Sequence, residues 1–305
     1  DYTLNTNTGT RDFKNQLINW LGSYQLNSNI KVNARYSNIK NLSESTDTDW
    51  QTFQPATSHF NTETNEGDLN AVWKFMDHQN ILAGVTYSKS EYDASSSPEA
   101  VRNMSTTGYY IQHQYQNNGF NTQAGIRLED NDWFGNHTVG QIATRYQLLP
   151  LTSIYANIGT AFKAPTLENL YGSYGSAFYS NPNLKPEEST SYEIGLDQKL
   201  NYGLSAYLSG YSTNVKNLIS SGKINGKTTY INVNKARIQG GELGIKWAFD
   251  NLFANAEYAY VKAQDRTTDQ DIPYRPRQTY TLTLGYDDGV YGMNTALIAR
   301  SRANT

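Results

Sequence analysis

Four aromatic residues, Tyr171, Tyr174, Phe178 and Tyr179, fall within one short stretch that also holds Gly172 and Gly175. Rings on a glycine-hinged segment offer contact area at low cost in side-chain entropy, which suits packing against a large, flat ligand. The same rings could instead pack on one another or anchor in a membrane interface. Catalysis has thinner material. His137 near Asp130 and Asp132 could form an acid–base pair, but no serine has the Gly-x-Ser-x-Gly context of a nucleophile elbow. A polar loop accounts for those residues better. Asp130-Asn131-Asp132 and Asp47-Thr48-Asp49 mimic part of a calcium loop without the downstream spacing and glutamate of an EF-hand. With Cys 0, a disulfide and a Cys-based zinc site are both excluded. The expected chemistry is non-covalent binding, with no catalytic residue and no metal ligand.

The elements that must carry this stretch read as strands. Ile154, Ala156, Ile158 and Phe162 share one face of a period-two segment, and Tyr192, Ile194 and Leu196 share one face of the next. Glu193, Asp197 and Lys199 lie on the opposite face, which a packed core would not accept. One apolar and one charged face suits a wall between lipid and water. The same alternation recurs at Leu69, Ala71, Trp73 and Phe75, at Leu243, Ile245, Trp247 and Phe249, and at Tyr280, Leu282, Leu284 and Tyr286. In all, about fourteen strands are expected, at roughly 16–26, 30–40, 67–76, 80–91, 107–116, 120–129, 137–148, 152–163, 188–200, 203–213, 235–249, 252–263, 276–287 and 290–300. No helical periodicity extends over a useful length.

Short links alternate with long ones at 41–66, 92–106, 130–136, 164–187, 214–234 and 264–275. Outer-membrane barrels show this pattern, with short periplasmic turns and long extracellular loops. By that parity both chain ends fall at the long-loop rim, so the chain reads as an interior piece of a larger barrel. No domain boundary divides residues 1–305. Composition agrees: only 37% of the chain is hydrophobic, yet it holds Tyr 24, Phe 10 and Trp 5. Tyrosine in such excess fits a boundary that is apolar on one side and wet on the other. No run approaches the ~20 apolar residues of a spanning helix, which does not bear on spanning strands. A net charge of −3 gives no reason to expect nucleic acid.

The boxes Phe162-Lys163-Ala164-Pro165 and Asn181-Pro182-Asn183-Leu184-Lys185-Pro186-Glu187 resemble the paired motifs of TonB-dependent outer-membrane receptors. Arg127-x-x-Asp130 with Phe134-Gly135, Ser191-Tyr-Glu-x-Gly195, Asn234-Lys-Ala-Arg-Ile-x-Gly240 and Pro276-Arg-x-Thr-Tyr-Thr-Leu282 add to the resemblance. Taken in order they look most like the cobalamin receptors of that family. The resemblance implies an antiparallel transmembrane β-barrel, about 14 strands of a parent with about 22, spanning the bacterial outer membrane with its long loops outside. It implies cobalamin as the transported ligand, the lipid bilayer as surroundings, and TonB acting through an N-terminal region beyond this stretch. The family's calcium sites are expected outside it too. Lys31, Arg35, Lys74, Arg127, Arg145, Glu193, Lys199, Glu242 and Glu257 would line a wet lumen and meet a plug. The aromatics of loop 164–187 and the polar loops 41–66 and 92–106 are the expected ligand contacts. A siderophore receptor and a plain diffusion porin are the alternatives. Haem is less favoured, because haem receptors carry a histidine between the boxes and residues 166–180 hold none.

Overall fold

The computed structural model describes residues 9–48, 54–95, 102–172, 178–273 and 275–303. Their strands are β1 (Thr10–Gln25), β2 (Ile30–Thr48), β3 (Pro55–Met76), β4 (Gln79–Ala94), β5 (Arg102–Asn117), β6 (Phe120–Asn131) and β7 (Gly135–Leu149). Then follow β8 (Thr152–Lys163), β9 (Glu187–Lys199), β10 (Leu204–Ile224), β11 (Lys227–Phe249), β12 (Leu252–Asp265), β13 (Gln278–Asp287) and β14 (Gly292–Arg300). A five-residue helix, α1 (Leu167–Tyr171), lies between β8 and β9. Each strand pairs antiparallel with the next, in one sheet of order β1 to β14. The all-β antiparallel reading of the sequence is the architecture observed.

Register sorts the side chains. Arg35 is opposite Asp68, Tyr110 opposite Arg127, Arg145 opposite Tyr155, and Ser209 opposite both Gly195 and Glu242. Following these pairs across the sheet puts all nine charged residues expected at the lumen on one face. The other face carries Leu69, Ile142, Ile154, Ile194, Leu208, Leu243 and Leu282, all open to the surroundings, Ile194 by 67%. An apolar face left bare is intelligible only if hydrocarbon covers it. Aromatics mark the two edges of that band. Phe120 stacks on Tyr146 at 4.3 Å beside the short turns, and Tyr258 meets Tyr280 at 4.9 Å toward the other rim. On β13, Tyr280 and Tyr286 stand six residues apart, roughly 20 Å of strand.

The wet face is smoothed by glycine. Tyr110 lies across Gly84, Tyr155 across Gly195, Tyr207 across Gly244 and Tyr211 across Gly240, each ring on its direct cross-strand partner. A Cβ at any of these glycines would collide with the ring or hydroxyl above it. The rings therefore lie along the wall instead of projecting into the lumen.

Strand lengths depart from the sequence reading, and the departure is systematic. β2 and β3 run 19 and 22 residues, β10 and β11 run 21 and 23. The expected loops 41–66 and 214–234 are mostly hairpin, and 92–106 is partly so. Above the lipid band both faces of a strand meet water, so period-two alternation disappears although the ladder continues. The β10–β11 hairpin closes in a two-residue turn, Asn225 (φ 51) and Gly226 (φ 79). Positive φ at both central positions is the type I′ geometry that Asn-Gly favours.

Candidate functional site

The rim is uneven, and the connection between β8 and β9 follows from that. β6 and β7 stop low, joined across residues 132–134, whereas β2–β5 and β10–β11 rise on either side. The turn is held by Asn131, which is buried at 2% exposure. Its Oδ1 accepts from the Trp133 and Phe134 amides (3.0 Å each) and its Nδ2 donates to Thr106 Oγ1 (2.8 Å).

The first box starts the crossing. Phe162 stacks on His137 at 3.7 Å, Lys163 Nζ lies 3.6 Å from Glu187, Ala164 is half-buried and Pro165 is fully buried. Thr166 then caps α1. Its hydroxyl accepts from the Asn169 amide at 3.1 Å, and Asn169 Oδ1 accepts from the Thr166 amide at 3.1 Å. The helix buries Leu167 and Leu170. Leu167 joins Tyr92 and Ala94 of β4, with Phe60, Met104 and Tyr171 packed around them. Tyr171 meets Trp133 edge-on at 5.7 Å and takes the Arg102 guanidinium over its ring at 4.6 Å.

The second box ties the other end to the β10–β11 hairpin. Tyr179 bridges to Thr229, its amide donating to Thr228 O at 3.0 Å while Thr229 Oγ1 donates to its carbonyl at 2.8 Å. Phe178 packs edge-on against Tyr230 at 4.8 Å, and Lys227 Nζ sits 4.4 Å above the Tyr179 ring. Asn181 Nδ2 donates to Tyr230 O (2.8 Å), and Asn181 Oδ1 accepts from the Asn183 amide (3.1 Å) across exposed Pro182. Leu184 is buried. Asn232 then grips Lys185, its Oδ1 accepting from the Lys185 amide (2.8 Å) and its Nδ2 donating to the Lys185 carbonyl (2.9 Å) and to Asn217 O (2.7 Å). Asn217, at φ 55, donates to Pro186 O (3.3 Å), and Glu187 Oε1 accepts from the Ile219 amide (2.9 Å). Burial, reinforced by the Glu168 charge, pushes the Tyr230 phenol up. That proximity brings α1 and the hairpin to one place.

Tyr171 packs toward β5 and the β6–β7 turn, whereas Phe178 and Tyr179 pack on β11; Tyr174 lies outside the described residues. The boxes act as the two footings of a brace across the low rim. Asn217 and Asn232, which grip the second box, are the residues that sequence reasoning missed, and the Asn225-Gly226 turn was the signal that could have placed them.

Beneath the first footing lies a recess of about 670 Å³ on the wet face, lined in part by Arg35, Glu66, Asp68, Tyr110, Arg127 and Glu129. Its charges are matched in place. Arg35 pairs with Glu66, Arg127 Nε donates to Glu129 at 2.7 Å, and Tyr110 Oη donates to Asp68 at 2.9 Å. Such a surface suits a polar guest that brings its own hydrogen bonds. On β3 and β4, His59 Nε2 lies 3.1 Å from Asp93 Oδ1 and its Nδ1 lies 2.7 Å from Ser95 Oγ. Ser95 Oγ also accepts from the His59 amide (2.8 Å), and the Ser95 amide donates to His59 O (3.0 Å), so the three residues tie the hairpin end together. Among the described residues no three His, Cys, Asp or Glu side chains are grouped to hold a metal.

A family model described as "TonB dependent receptor-like, beta-barrel" matches residues 1–304. The chain belongs to the TonB-dependent receptor β-barrel family. This is a family of outer-membrane transport receptors, not of enzymes, and the chain is accordingly a bacterial outer-membrane β-barrel protein. It is 28% identical over 269 residues to a vitamin B12 transporter, BtuB, of Photobacterium profundum, a match covering 85% of this chain and 42% of that protein. The copper transporter OprC superposes with a TM-score of 0.77 at 20% identity, covering 94% of this chain and 52% of that one. A ferric enterobactin receptor of Pseudomonas aeruginosa gives 0.71 at 16% identity, covering 96% and 58%. The siderophore receptor PirA of Acinetobacter baumannii gives 0.68 at 14%, covering 96% and 59%. The chain thus spans about half the length of the TonB-dependent receptors it matches.

Proposed function

We propose that residues 1–305 form one barrel-wall domain of an outer-membrane receptor that captures cobalamin at its long-loop rim and admits it to the periplasm. TonB drives release through a segment N-terminal to the barrel, and the bilayer surrounds the apolar face. The observation that carries the cobalamin reading is the 28% identity to a vitamin B12 transporter across 269 residues. The solved structures, at 14–20% identity, speak for the fold alone. The interval 166–180 between the boxes holds no histidine, which disfavours haem. Transport of this kind is binding and release without covalent chemistry. Calorimetric titration of the full-length receptor with cobalamin tests the reading. Saturable heat is expected; its absence, with saturable heat from a ferric siderophore, refutes cobalamin as cargo.

A further inference from the structure

At the long-loop rim one ladder stops early. β7 and β8 pair from the short turn up to Gln141 opposite Gly159. Both strands then go on, β7 laddered to β6 as far as Gly135 and β8 laddered to β9 as far as Lys163. Residues 135–140 and 160–163 thus share no rung, although neither strand has ended. Elsewhere at this rim a ladder runs to within a residue of the end of one of its strands. Where the next rung would form, the Thr160 hydroxyl occupies both backbone groups of Gly140. Its Oγ1 accepts from the Gly140 amide at 2.9 Å and donates to the Gly140 carbonyl at 3.4 Å.

The two strand ends overlap instead of lying edge to edge. His137 is the register partner of Glu129, which lines the wet recess, whereas Phe162 continues the lipid-side face of Ile154 and Ile158. In a continuous sheet these two rings would point to opposite sides. They stack at 3.7 Å, with 17° between their planes. The end of β8 therefore lies inside β7, its outer face against the inner face of its neighbour. Phe162 and Ala164 accordingly line the wet recess beneath the first footing. Glu188 of β9, opposite Phe162, reaches across the lap as well, its Oε1 3.8 Å from His137 Nδ1. His137 Nε2 donates to Phe134 O at 3.1 Å, which ties the ring to the β6–β7 turn. Beyond Phe162 the chain passes buried Pro165 into α1, which Leu167 seats against Tyr92 and Ala94 of β4. Docking of the helix thereby sets where Phe162 lies.

We propose that this lapped seam is a gate in the wall, with α1 as its latch. While α1 is docked, the His137–Phe162 stack closes the seam. When α1 leaves β4, the end of β8 parts from β7 and the mouth widens beside the recess lined by Arg35, Tyr110 and Arg127. Parting a continuous ladder would cost a hydrogen bond at every rung; here no rung has to break. The rungs from Gln141 opposite Gly159 down to the short turn keep the wall closed throughout. Cargo identity does not enter the argument.

The test uses the full-length receptor in phosphatidylcholine nanodiscs, carrying pairs of spin labels whose dipolar coupling reports their separation. One pair, on Thr138→Cys and Ala161→Cys, spans the seam at exposed positions. The other, on Ile142→Cys and Ile158→Cys, sits on facing residues just below it. Both pairs should couple strongly in the otherwise unchanged protein. Adding Leu167→Ala and Leu170→Ala, which releases α1, should abolish coupling across the seam and leave the lower pair as it was. Phe162→Ala removes the stack with α1 still docked; it should weaken coupling across the seam alone, and serves if the double variant fails to fold. Coupling across the seam that survives both sets of changes, or that is lost only together with the lower pair, overturns the proposal.

Discussion

Replacing Asn232 by alanine should free the second box from the hairpin without unfolding the barrel. Asn232 makes three hydrogen bonds, two to the Lys185 backbone and one to Asn217 O, at 2.7–2.9 Å. A typical intramolecular hydrogen bond contributes about 0.5–1.5 kcal/mol net. Two of these three lie at the exposed end of that range's conditions, so their sum is about 2 kcal/mol. That shifts a local opening equilibrium roughly 30-fold. Hydrogen exchange at the Lys185 amide reads it directly, since this amide donates to the Asn232 side chain. Protection there should fall by about that factor. The Gly172 amide, which donates to Glu168 O at 2.7 Å across the end of α1, is the internal control. Asn181→Ala removes the one bond of this side chain to the hairpin, at Tyr230 O, together with the local bond from the Asn183 amide; loss of the first should cost about 1 kcal/mol, near fivefold. Asn232→Asp keeps the acceptor but turns a carboxylate toward two carbonyls, so it should not rescue. Unchanged Lys185 protection in Asn232→Ala would refute the clamp, because the box would then be held by something other than these bonds.

Three further outcomes follow from the packing. Gly195→Ala drives a methyl into the Tyr155 ring; about 1–3 kcal/mol of overpacking cost is expected, seen as a lower unfolding temperature and largely relieved in the double variant with Tyr155→Ala. Leu170, 1% exposed, anchors α1, so Leu170→Ala should weaken docking of the 164–186 connection by about 2–5 kcal/mol, read as faster limited proteolysis there at unchanged barrel stability. Amides of Tyr291 and Val290, with the Tyr286 hydroxyl, hold the Asp288 carboxyl below its usual range. A folded-state value below the unfolded one stabilises the β13–β14 turn fully above the ordinary carboxylate range near 3.9 and is lost as pH falls through the depressed value. Protection of the Tyr291 amide should therefore hold steady down to about pH 4 and drop only below it, a response that Asp288→Asn should abolish.

Within the lipid band the sequence was legible because physics there is one-dimensional: one face dry, one wet, and period two in every strand. Leu243, Ile245 and Trp247 could be assigned to a face before any pairing was known. Above the band the same signal fails, as at residues 41–48 and 214–224, where the strands continue with water on both sides. Lys40–Glu63 shows what replaces alternation there, a cross-strand ion pair that holds the Glu63 carboxyl low with help from Asn38. Turn chemistry still spoke in that region, since Asn225-Gly226 specified a hairpin tip, but it had been absorbed into a long loop. The aromatic residues of loop 164–187 were legible as a run of rings, but not the strands on which each one packs. Their division between two footings depends on how low β6 and β7 end, which no local pattern records.

The basic face of β10–β12 shows the opposite relation between sequence and fold. A run from residue 198 to 241 without one carboxylate can be counted directly from the chain, but by itself it describes a hairpin with scattered positive charge. Pairing changes its meaning. Because β10 and β11 meet with Gly210 opposite Gly241, Lys216 must fall opposite Lys235, and the β11–β12 register brings in Lys262 from outside the run. Shifting β11 by one residue would turn Lys235 and Arg237 to the wet face and put Glu242 on the lipid-side face. The register that buries Leu243 and Ile245 in hydrocarbon thus also forces the cations toward the leaflet surface. Their concentration there follows from the apolar pattern below.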